Sequence, residues 1–219
     1  SELAGLPPPE PLLTAETISL GSPDEMGAQA ADLAAAPLLK IKLDAEDIEK
    51  RLDAVRAGAP AARLIVDPNE SWDAALLAEK FRYLADIGVE MIEQPVPAGR
   101  DGGLAALNPP ILVCADESCK TSDDLERLIG LYGMINIKLD KAGGLTEALT
   151  MRARAEELGF EAMVGCMVAT SLAMAPAVLL AQGAAIVDLD GALLLARDRG
   201  HGLVYSDGRV FPPSPELWG

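Results

Sequence analysis

The stretch from Pro37 to Asp44, "PLLKIKLD", places two lysines two residues apart inside an apolar run. Alternate residues of a β-strand point to the same face, so Lys40 and Lys42 share one face of a strand and the apolar residues between them take the other. Lysine is rarely buried without a partner, so ordinary core packing does not explain two neighbouring ammonium groups. The stretch therefore predicts a strand over 38–42 whose two lysines have a functional role, followed by a helix that begins after Asp44.

Length and composition narrow the class of protein. The chain has 219 residues, half of them hydrophobic, which is enough for one sizeable core. Its net charge of -16 argues against binding to nucleic acid or to an anionic membrane surface. No run of eighteen apolar residues and no signal-peptide pattern occurs, so we expect a cytoplasmic protein. With one histidine and three cysteines that lack metal-site spacing, the candidate metal ligands are carboxylates.

Short apolar or β-branched runs alternate along the chain with segments of helical period, which is typical of repeated βα units. This pattern predicts eight strands, at 15–19, 38–42, 63–66, 91–93, 111–115, 134–138, 161–164 and 185–188. It predicts helices near 22–35, 45–57, 73–87, 121–130, 144–158 and 170–182, with a short one near 102–107. The predicted fold class is α/β, a (β/α)8-type TIM barrel rather than a doubly wound sheet, because no glycine-rich fingerprint follows the first strand.

The two ends of the chain differ from the βα series. Residues 1–12 are proline-rich and are interpreted as a linker from a domain outside this sequence, and residues 13–191 as the barrel. Residues 192–219 contain glycine, proline and short apolar pieces. We expect this tail to have no further helix, to leave the βα series and to pack on the barrel or on another domain.

Reactive groups of such barrels lie at the carboxyl ends of the strands. The charged residues at the predicted strand ends are Lys42, Asp67, Glu93, Asp116, Lys138 and Asp188. Their successive separations are 25, 26, 23, 22 and 50 residues, so each falls at the same point of a βα unit and the last gap skips one unit. Their neighbours two residues away, expected on the same face, include Lys40, Asn69, Asn136 and Asp190.

Asp67, Glu93 and Asp116 follow the third, fourth and fifth predicted strands and would lie side by side. Three neighbouring carboxylates repel one another unless a cation lies among them. A site of oxygen ligands alone suits a hard ion, and we expect Mg²⁺. Any one of these carboxylates by itself could equally be a helix cap or a solvated loop residue.

Lys42 and Lys138 lie on the second and sixth predicted strands and would face each other across the barrel mouth. A substrate carboxylate on the metal would then hold its α-carbon between two amines, with the metal stabilising the enediolate, as a two-base proton transfer requires. Lys40, together with the metal, is expected to make the Lys42 amine easier to deprotonate by charge repulsion. The alternative that the lysine pair protects an edge strand stays open at this stage.

Asp188 and Asp190 follow the eighth predicted strand, opposite the expected metal. They are expected to bind a positively charged end of the substrate. The alternative is that they are turn residues before Gly191.

Seven stretches occur in a fixed order between residues 40 and 191, namely "KIKLD", "DPNESW", "IEQPVP", "ADES", "NIKLDKAGG", "GCMVATS" and "DLDG". In these motifs the chain resembles the enolase superfamily, in particular the dipeptide epimerases of the muconate-lactonising-enzyme subgroup. Members of this superfamily pair a Lys or His base with Mg²⁺. The resemblance implies a modified (β/α)7β barrel, Mg²⁺ on Asp67, Glu93 and Asp116, and Lys42 and Lys138 as the acid/base pair.

The resemblance also implies a substrate. Asp188 and Asp190 would bind the α-ammonium of a dipeptide, beside Cys166 and Met167, with Asn69 and Asn136 supporting the site. The implied reaction is epimerisation of the C-terminal residue of a dipeptide, most commonly L-Ala-D/L-Glu. The alternatives are a cycloisomerase, a β-elimination like that of o-succinylbenzoate synthase, or a truncated barrel without catalysis.

Family members also carry an N-terminal α+β capping domain of roughly a hundred residues. This domain is not in the sequence given, and the tail would reach toward it. Whether the protein forms a homo-oligomer is left open.

Overall fold

Parallel strands form one closed ring in the computed structural model of the protein, which describes residues 8–218. The strands of this part are, in chain order, β1 Leu12–Leu13, β2 Glu16–Ile18, β3 Leu38–Lys42, β4 Arg63–Asp67, β5 Val89–Glu93, β6 Leu112–Ala115, β7 Met134–Lys138, β8 Glu161–Gly165, β9 Ile186–Asp188, β10 Tyr205–Ser206 and β11 Arg209–Val210. Strands β2 to β9 form an eight-stranded parallel sheet within residues 8–218, each paired with the next in the chain. The amide of Ala15 donates to the carbonyl of Val187, 2.8 Å away, and closes the ring. The predicted TIM-type barrel is confirmed.

Helices connect the strands on the outside of the ring. They are α1 Pro23–Asp32, α2 Ile48–Gly58, α3 Ala74–Asp86, α4 Leu125–Leu128, α5 Leu139–Ala142, α6 Leu145–Glu157 and α7 Ser171–Leu180, with 3₁₀ turns at Asp101–Ala106 and Ser122–Asp124. A further helix, α8 Pro215–Trp218, follows β11. The helix predicted over 121–130 is shorter than predicted and divided, because a 3₁₀ turn is followed there by the single turn α4.

The helix start predicted after Asp44 is also wrong. Helix α2 begins at Ile48, and Asp47 precedes it in a left-handed conformation with φ of 45°. Asp44 Oδ1 accepts a hydrogen bond of 2.8 Å from the amide of Glu46 and pairs with Arg51. Because a local turn and a salt bridge already use this carboxylate, the chain enters the helix almost one turn later.

The interior of the barrel is built in rings of side chains, one residue from each βα unit. The lower ring is apolar and packs into one buried cluster: Ala15, Leu38, Ile65, Met91, Cys114, Met134, Met163 and Ile186. Two residues further along each unit lies a second ring: Thr17, Lys40, Asp67, Glu93, Asp116, Asn136, Gly165 and Asp188. Because alternate strand residues share a face, the second ring stacks on the first toward the carboxyl ends of the strands. We call it the polar ring.

The part of the tail that the structure describes packs on the barrel. Strands β10 and β11 form a hairpin that pairs with β1. The hydroxyl of Tyr205 donates to the carbonyl of Leu189 at 2.8 Å, and Val210 is fully buried. The expectation of no further helix is wrong, since α8 forms. Strands of two residues and a helix of four carry too little periodicity to be predicted.

Residues 1–7 of the predicted linker and Gly219 lie outside the described residues. Between residues 8 and 218, none of the helices combines the length and the apolar character needed to cross a bilayer.

Candidate active site

The carboxyl ends of the barrel strands surround a cleft of about 420 Å³. The predicted site residues that line it are Lys40, Lys42, Asn69, Asp116, Lys138, Cys166, Met167, Asp188 and Asp190. Asp67, Glu93 and Asn136 do not line the cleft, because their side chains are fully buried. Asp67 and Glu93 contact the lining lysines Lys42 and Lys40, and Asn136 donates to Glu93. The structure thus brings every predicted site residue to one end of the barrel.

Lys42 reaches its neighbours on the next strand. Its Nζ lies 2.6 Å from Asp67 Oδ2 and 2.8 Å from Asn69 Oδ1. The backbone amide of Asn69 in turn donates to Asp67 Oδ1 at 3.0 Å. Burial opposes ionisation of Asp67, but the ammonium groups of Lys40 and Lys42 outweigh it and lower its pKa. The Asp67 carboxylate is therefore held charged, and it fixes the direction of Lys42.

Lys40 lies at the centre of the polar ring. Its Nζ is 2.7 Å from Glu93 Oε2, 2.8 Å from Asp188 Oδ2 and 3.1 Å from Asp67 Oδ2. Burial opposes the charged form, but these three carboxylates raise the pKa of Lys40 well above its ordinary value. Lys40 is thus the counter-ion of the buried acids. Its predicted assistance to Lys42 stays a prediction.

Glu93 is the middle carboxylate and the most difficult to ionise. Burial, followed by the nearby charge of Asp67, raises its pKa to about 8. The amide of Asn136 donates from Nδ2 to Glu93 Oε1 at 2.6 Å. This bond ties β7 to β5 beneath the cleft.

Lys138 and Lys141 both contact Asp116. Lys138 Nζ is 2.6 Å from Asp116 Oδ2 and 3.8 Å from Glu93 Oε1. Burial opposes its charged form, but Glu93 and Asp116 raise the pKa of Lys138. Burial likewise opposes ionisation of Asp116, but Lys141 and Lys138 hold its pKa well below the usual range.

Lys141 is a site residue that the sequence analysis missed. Its Nζ lies 2.5 Å from Asp116 Oδ1 and donates to the backbone carbonyls of Asp116, Cys119 and Asn136. It therefore joins the loop after β6 to β7. The available signal was its position one helical turn after Lys138 in "NIKLDKAGG".

Asp188 ends β9, two strands along the ring from Lys138 on β7, and Asp190 follows it in the chain. Asp190 Oδ2 accepts a hydrogen bond from the amide of Thr17 at 2.8 Å, and burial together with the charge of Asp188 raises the pKa of Asp190 to about 6. Asp188 Oδ1 is buried and accepts no hydrogen bond from residues 8–218. Burial and the same two carboxylates raise the pKa of Cys166 to about 12, so its thiol stays neutral. Uncompensated carboxylate oxygen at this end suits a cationic ligand.

A metal ion requires ligands that converge on one point, and the three predicted ligands do not converge in this structure. In the described part of the chain, no three acidic, histidine or cysteine side chains converge closely enough to share an ion. Lysine ammonium groups lie between the carboxylates instead. Nevertheless Glu93 Oε2 and Asp116 Oδ1 are buried and accept no aligned hydrogen bond from residues 8–218, although Lys40 and Lys141 lie 2.7 and 2.5 Å from them. An all-oxygen donor set with such atoms fits a hard divalent cation, provided that the lysines turn away from the carboxylates.

Residues 25–215 match the protein family described as Enolase C-terminal domain-like. The chain belongs to this family. The resemblance to the enolase superfamily that the motifs indicated is confirmed.

Two curated relatives cover nearly the whole chain. An N-acetyl-D-glutamate racemase of Pseudoalteromonas sp. is 47% identical over 207 residues, which are 94% of this chain and 66% of the relative. An L-Ala-D/L-Glu epimerase of Escherichia coli (strain K12) is 46% identical over 212 residues, which are 96% of this chain and 66% of the relative. This chain therefore spans slightly less than two thirds of these relatives.

Solved structures share the fold. An enolase family member from Agrobacterium tumefaciens, described as homologous to dipeptide epimerases and crystallised with sodium and L-Ala-L-Glu, superposes with a TM-score of 0.95. It is 56% identical to this chain, and the match covers 97% of this chain and 65% of that one. A dipeptide epimerase from Cytophaga hutchinsonii, in complex with Mg and D-Ala-L-Val, has a TM-score of 0.89 at 28% identity, over 97% of this chain and 61% of that one.

Proposed function

We propose that this chain forms the barrel of a metal-dependent isomerase that epimerises the α-carbon of the C-terminal residue of a dipeptide, with L-Ala-D/L-Glu as substrate. The observation that carries the proposal is the placement of Lys42 on β3 and Lys138 on β7, four strands apart, on one cleft. Positions four apart in a ring of eight are opposite each other, so the two amines approach a bound carbon from its two faces.

The residues that would hold the metal are Asp67, Glu93 and Asp116, which belong to the strands between the two lysines. Mg²⁺ is the proposed ion, because the donors are all oxygens and the Cytophaga hutchinsonii epimerase was crystallised with Mg. When bound, the ion supplies electrostatic stabilisation for the charge that develops on the substrate carboxylate.

The chain's own residues would move the proton. One lysine, as a neutral amine, takes the α-proton on its face of the carbon, and the other, as an ammonium, delivers a proton to the opposite face. The configuration inverts, and the two lysines exchange protonation states. Asn69 orients Lys42 through its contact of 2.8 Å, and in the metal-free arrangement Asp67 and Asp116 hold Lys42 and Lys138 at 2.6 Å. Because both lysines act in either direction, the same site interconverts both epimers.

Asp188 and Asp190 would bind the α-ammonium of the dipeptide. Asp188 Oδ1, which is buried and accepts no hydrogen bond within residues 8–218, supports this role, and the Agrobacterium tumefaciens neighbour holds L-Ala-L-Glu. A second candidate is racemisation of N-acetylglutamate, which is favoured by the name of the relative at 47% identity. That substrate has no ammonium, so the two acids distinguish the candidates: Asp190→Asn should weaken use of the dipeptide and leave use of N-acetylglutamate intact.

The test is incubation of the full-length gene product in D₂O with Mg²⁺ and, separately, L-Ala-L-Glu, a panel of neutral dipeptides and N-acetyl-D-glutamate. Proton NMR should show loss of the α-proton signal with inversion for L-Ala-L-Glu. Lys138→Ala should lose inversion while calorimetry still detects Mg²⁺ binding, which separates an enzyme from a barrel that only binds metal. Absence of exchange with every compound would refute the proposal.

A further inference from the structure

The polar ring has one position without a side chain, Gly165 on β8. Its strand neighbours in register are Lys138 on β7 and Asp188 on β9, both at the cleft. The backbone does not require glycine here, because Gly165 is not among the residues of the described chain with positive φ. Glycine inside a strand weakens it, and it often marks a close approach of another group. The reason for glycine at this position is therefore space.

The space is taken by Asn136. A Cβ atom on Gly165 would lie 2.7 Å from Oδ1, 2.8 Å from Nδ2 and 3.2 Å from Cγ of Asn136, so it would collide with the whole amide group. The same amide is fully buried and donates to Glu93 Oε1 at 2.6 Å. The missing side chain of Gly165 thus leaves room for the group that holds Glu93.

The position of the Glu93 carboxylate depends on this hydrogen bond, because the other groups close to it are lysine ammonium groups. In the described structure, Lys40 lies 2.7 Å from Oε2 and Lys138 lies 3.8 Å from Oε1. If the amide of Asn136 moved away, Lys138, whose Nζ lies 3.8 Å from Oε1, would be free to approach that oxygen. A closer ion pair would then engage both the middle carboxylate of the site and a lysine of the proposed acid/base pair.

We propose that Gly165 is a positioning residue: its lack of a side chain seats the amide of Asn136, which fixes Glu93 for metal binding. The inference rests on the proposed function in that Glu93 is taken as a metal ligand. It predicts an effect on metal affinity rather than on folding. The atoms that a new Cβ would meet are the end of a side chain, so alanine at this position is accommodated by rotation of Asn136 and not by movement of the barrel strands.

The experiment compares Gly165→Ala, Asn136→Ala and the double variant in the full-length protein. Isothermal calorimetry measures Mg²⁺ affinity, and urea unfolding without Mg²⁺ measures stability. Each single variant should lose roughly 10- to 100-fold in Mg²⁺ affinity, as expected when a hydrogen-bond partner of a metal ligand is lost. The double variant should bind Mg²⁺ no more weakly than Asn136→Ala, because alanine at position 136 removes all three atoms with which the new Cβ collides.

A matched control is Gly102→Ala, since a Cβ there meets no atom within 4 Å. It should change neither Mg²⁺ affinity nor stability appreciably. Wild-type affinity in Gly165→Ala, losses that add in the double variant, or failure of Gly165→Ala to fold would each overturn the inference while leaving the proposed function in place. A wild-type protein that binds no Mg²⁺ would overturn the proposed metal site, and this inference with it.

Discussion

Lys40 and Asp188, 148 residues apart in the sequence, form a buried ion pair of 2.8 Å across the seam where the barrel closes. The same ammonium reaches Asp67 and Glu93, so one lysine compensates three buried acids. Removal of one partner of a buried ion pair typically costs about 3–5 kcal/mol, because the remaining charge is left uncompensated.

The first prediction follows from this pairing. Lys40→Met should lower the free energy of unfolding at pH 7 by about 3–5 kcal/mol in the absence of metal. Mg²⁺ should restore part of the loss, since a cation bound to the acids of the folded state stabilises it. Urea unfolding with and without Mg²⁺ measures both effects. Lys120→Met, at an exposed lysine on the rim of the cleft, is the control and should leave stability unchanged. Equal stability of Lys40→Met and the wild type would contradict the prediction.

The second prediction separates the two proposed bases. Lys138→Ala and Lys42→Ala should each lower the rate of epimerisation by at least roughly 100-fold, because inversion needs an amine on both faces. The remaining lysine can still remove a proton and return a deuteron on its own face. Each variant should therefore exchange the α-proton of one epimer only, and the two variants should act on opposite epimers. NMR of L-Ala-L-Glu and L-Ala-D-Glu in D₂O tests this. Exchange of both epimers by either variant would rule out the two-base scheme.

The strands of the site could be predicted because each combines an apolar face with a charged carboxyl end. The predicted bounds 38–42 and 134–138 coincide with β3 Leu38–Lys42 and β7 Met134–Lys138. The ring order of a βα barrel then places the strand-end residues around one mouth without coordinates. This is why the predicted site residues lie together at one end of the barrel, while their roles await experiment.

Other features of the site could not be predicted, for physical reasons. Lys141 looks like a solvated helix lysine in the sequence, and only the folded loop after β6 supplies the carbonyls that surround it. Gly165 has meaning only once the position of Asn136 is known. The capping role of Asp44 failed because Arg51 and the amide of Glu46 compete for the same carboxylate.

The third prediction concerns the outer layer, where helices α1 and α2 cross. A Cβ on Gly58 would lie 2.5 Å from the carbonyl oxygen of Gly27 and 2.9 Å from the backbone nitrogen of Ala31. Glycine to alanine in a helix ordinarily stabilises by about 0.5–1 kcal/mol. Because the atoms that the new Cβ meets here belong to the backbone, overpacking should turn this gain in stability into a loss. Gly58→Ala should lower the free energy of unfolding by about 1–3 kcal/mol.

Thermal or urea unfolding of Gly58→Ala checks this, again with Gly102→Ala as the matched control. The crossing lies outside the barrel, so Mg²⁺ affinity of the folded variant should stay at the wild-type value. A gain in stability would mean that the two helices can separate at little cost.

The fourth prediction concerns pH. Burial and the charge of Asp188 raise the pKa of Asp190 to about 6 in the folded protein, against a partly opposing effect of Lys40 and the amide of Thr17. An unfolded aspartate titrates near pH ~3.9. The folded state therefore holds this proton more tightly, so the stability that Asp190 contributes is complete below about pH 4 and is lost as the pH rises through about 6.

Asp190→Asn carries no charge and should escape that loss. Its free energy of unfolding should exceed the wild-type value by about 1–3 kcal/mol at pH 8, and by nothing appreciable at pH 4. Urea unfolding of the metal-free protein at both pH values measures the difference, and Asp32→Asn, at an exposed aspartate of α1, is the control. A difference that does not change with pH would show that the gain comes from packing and not from the charge of Asp190.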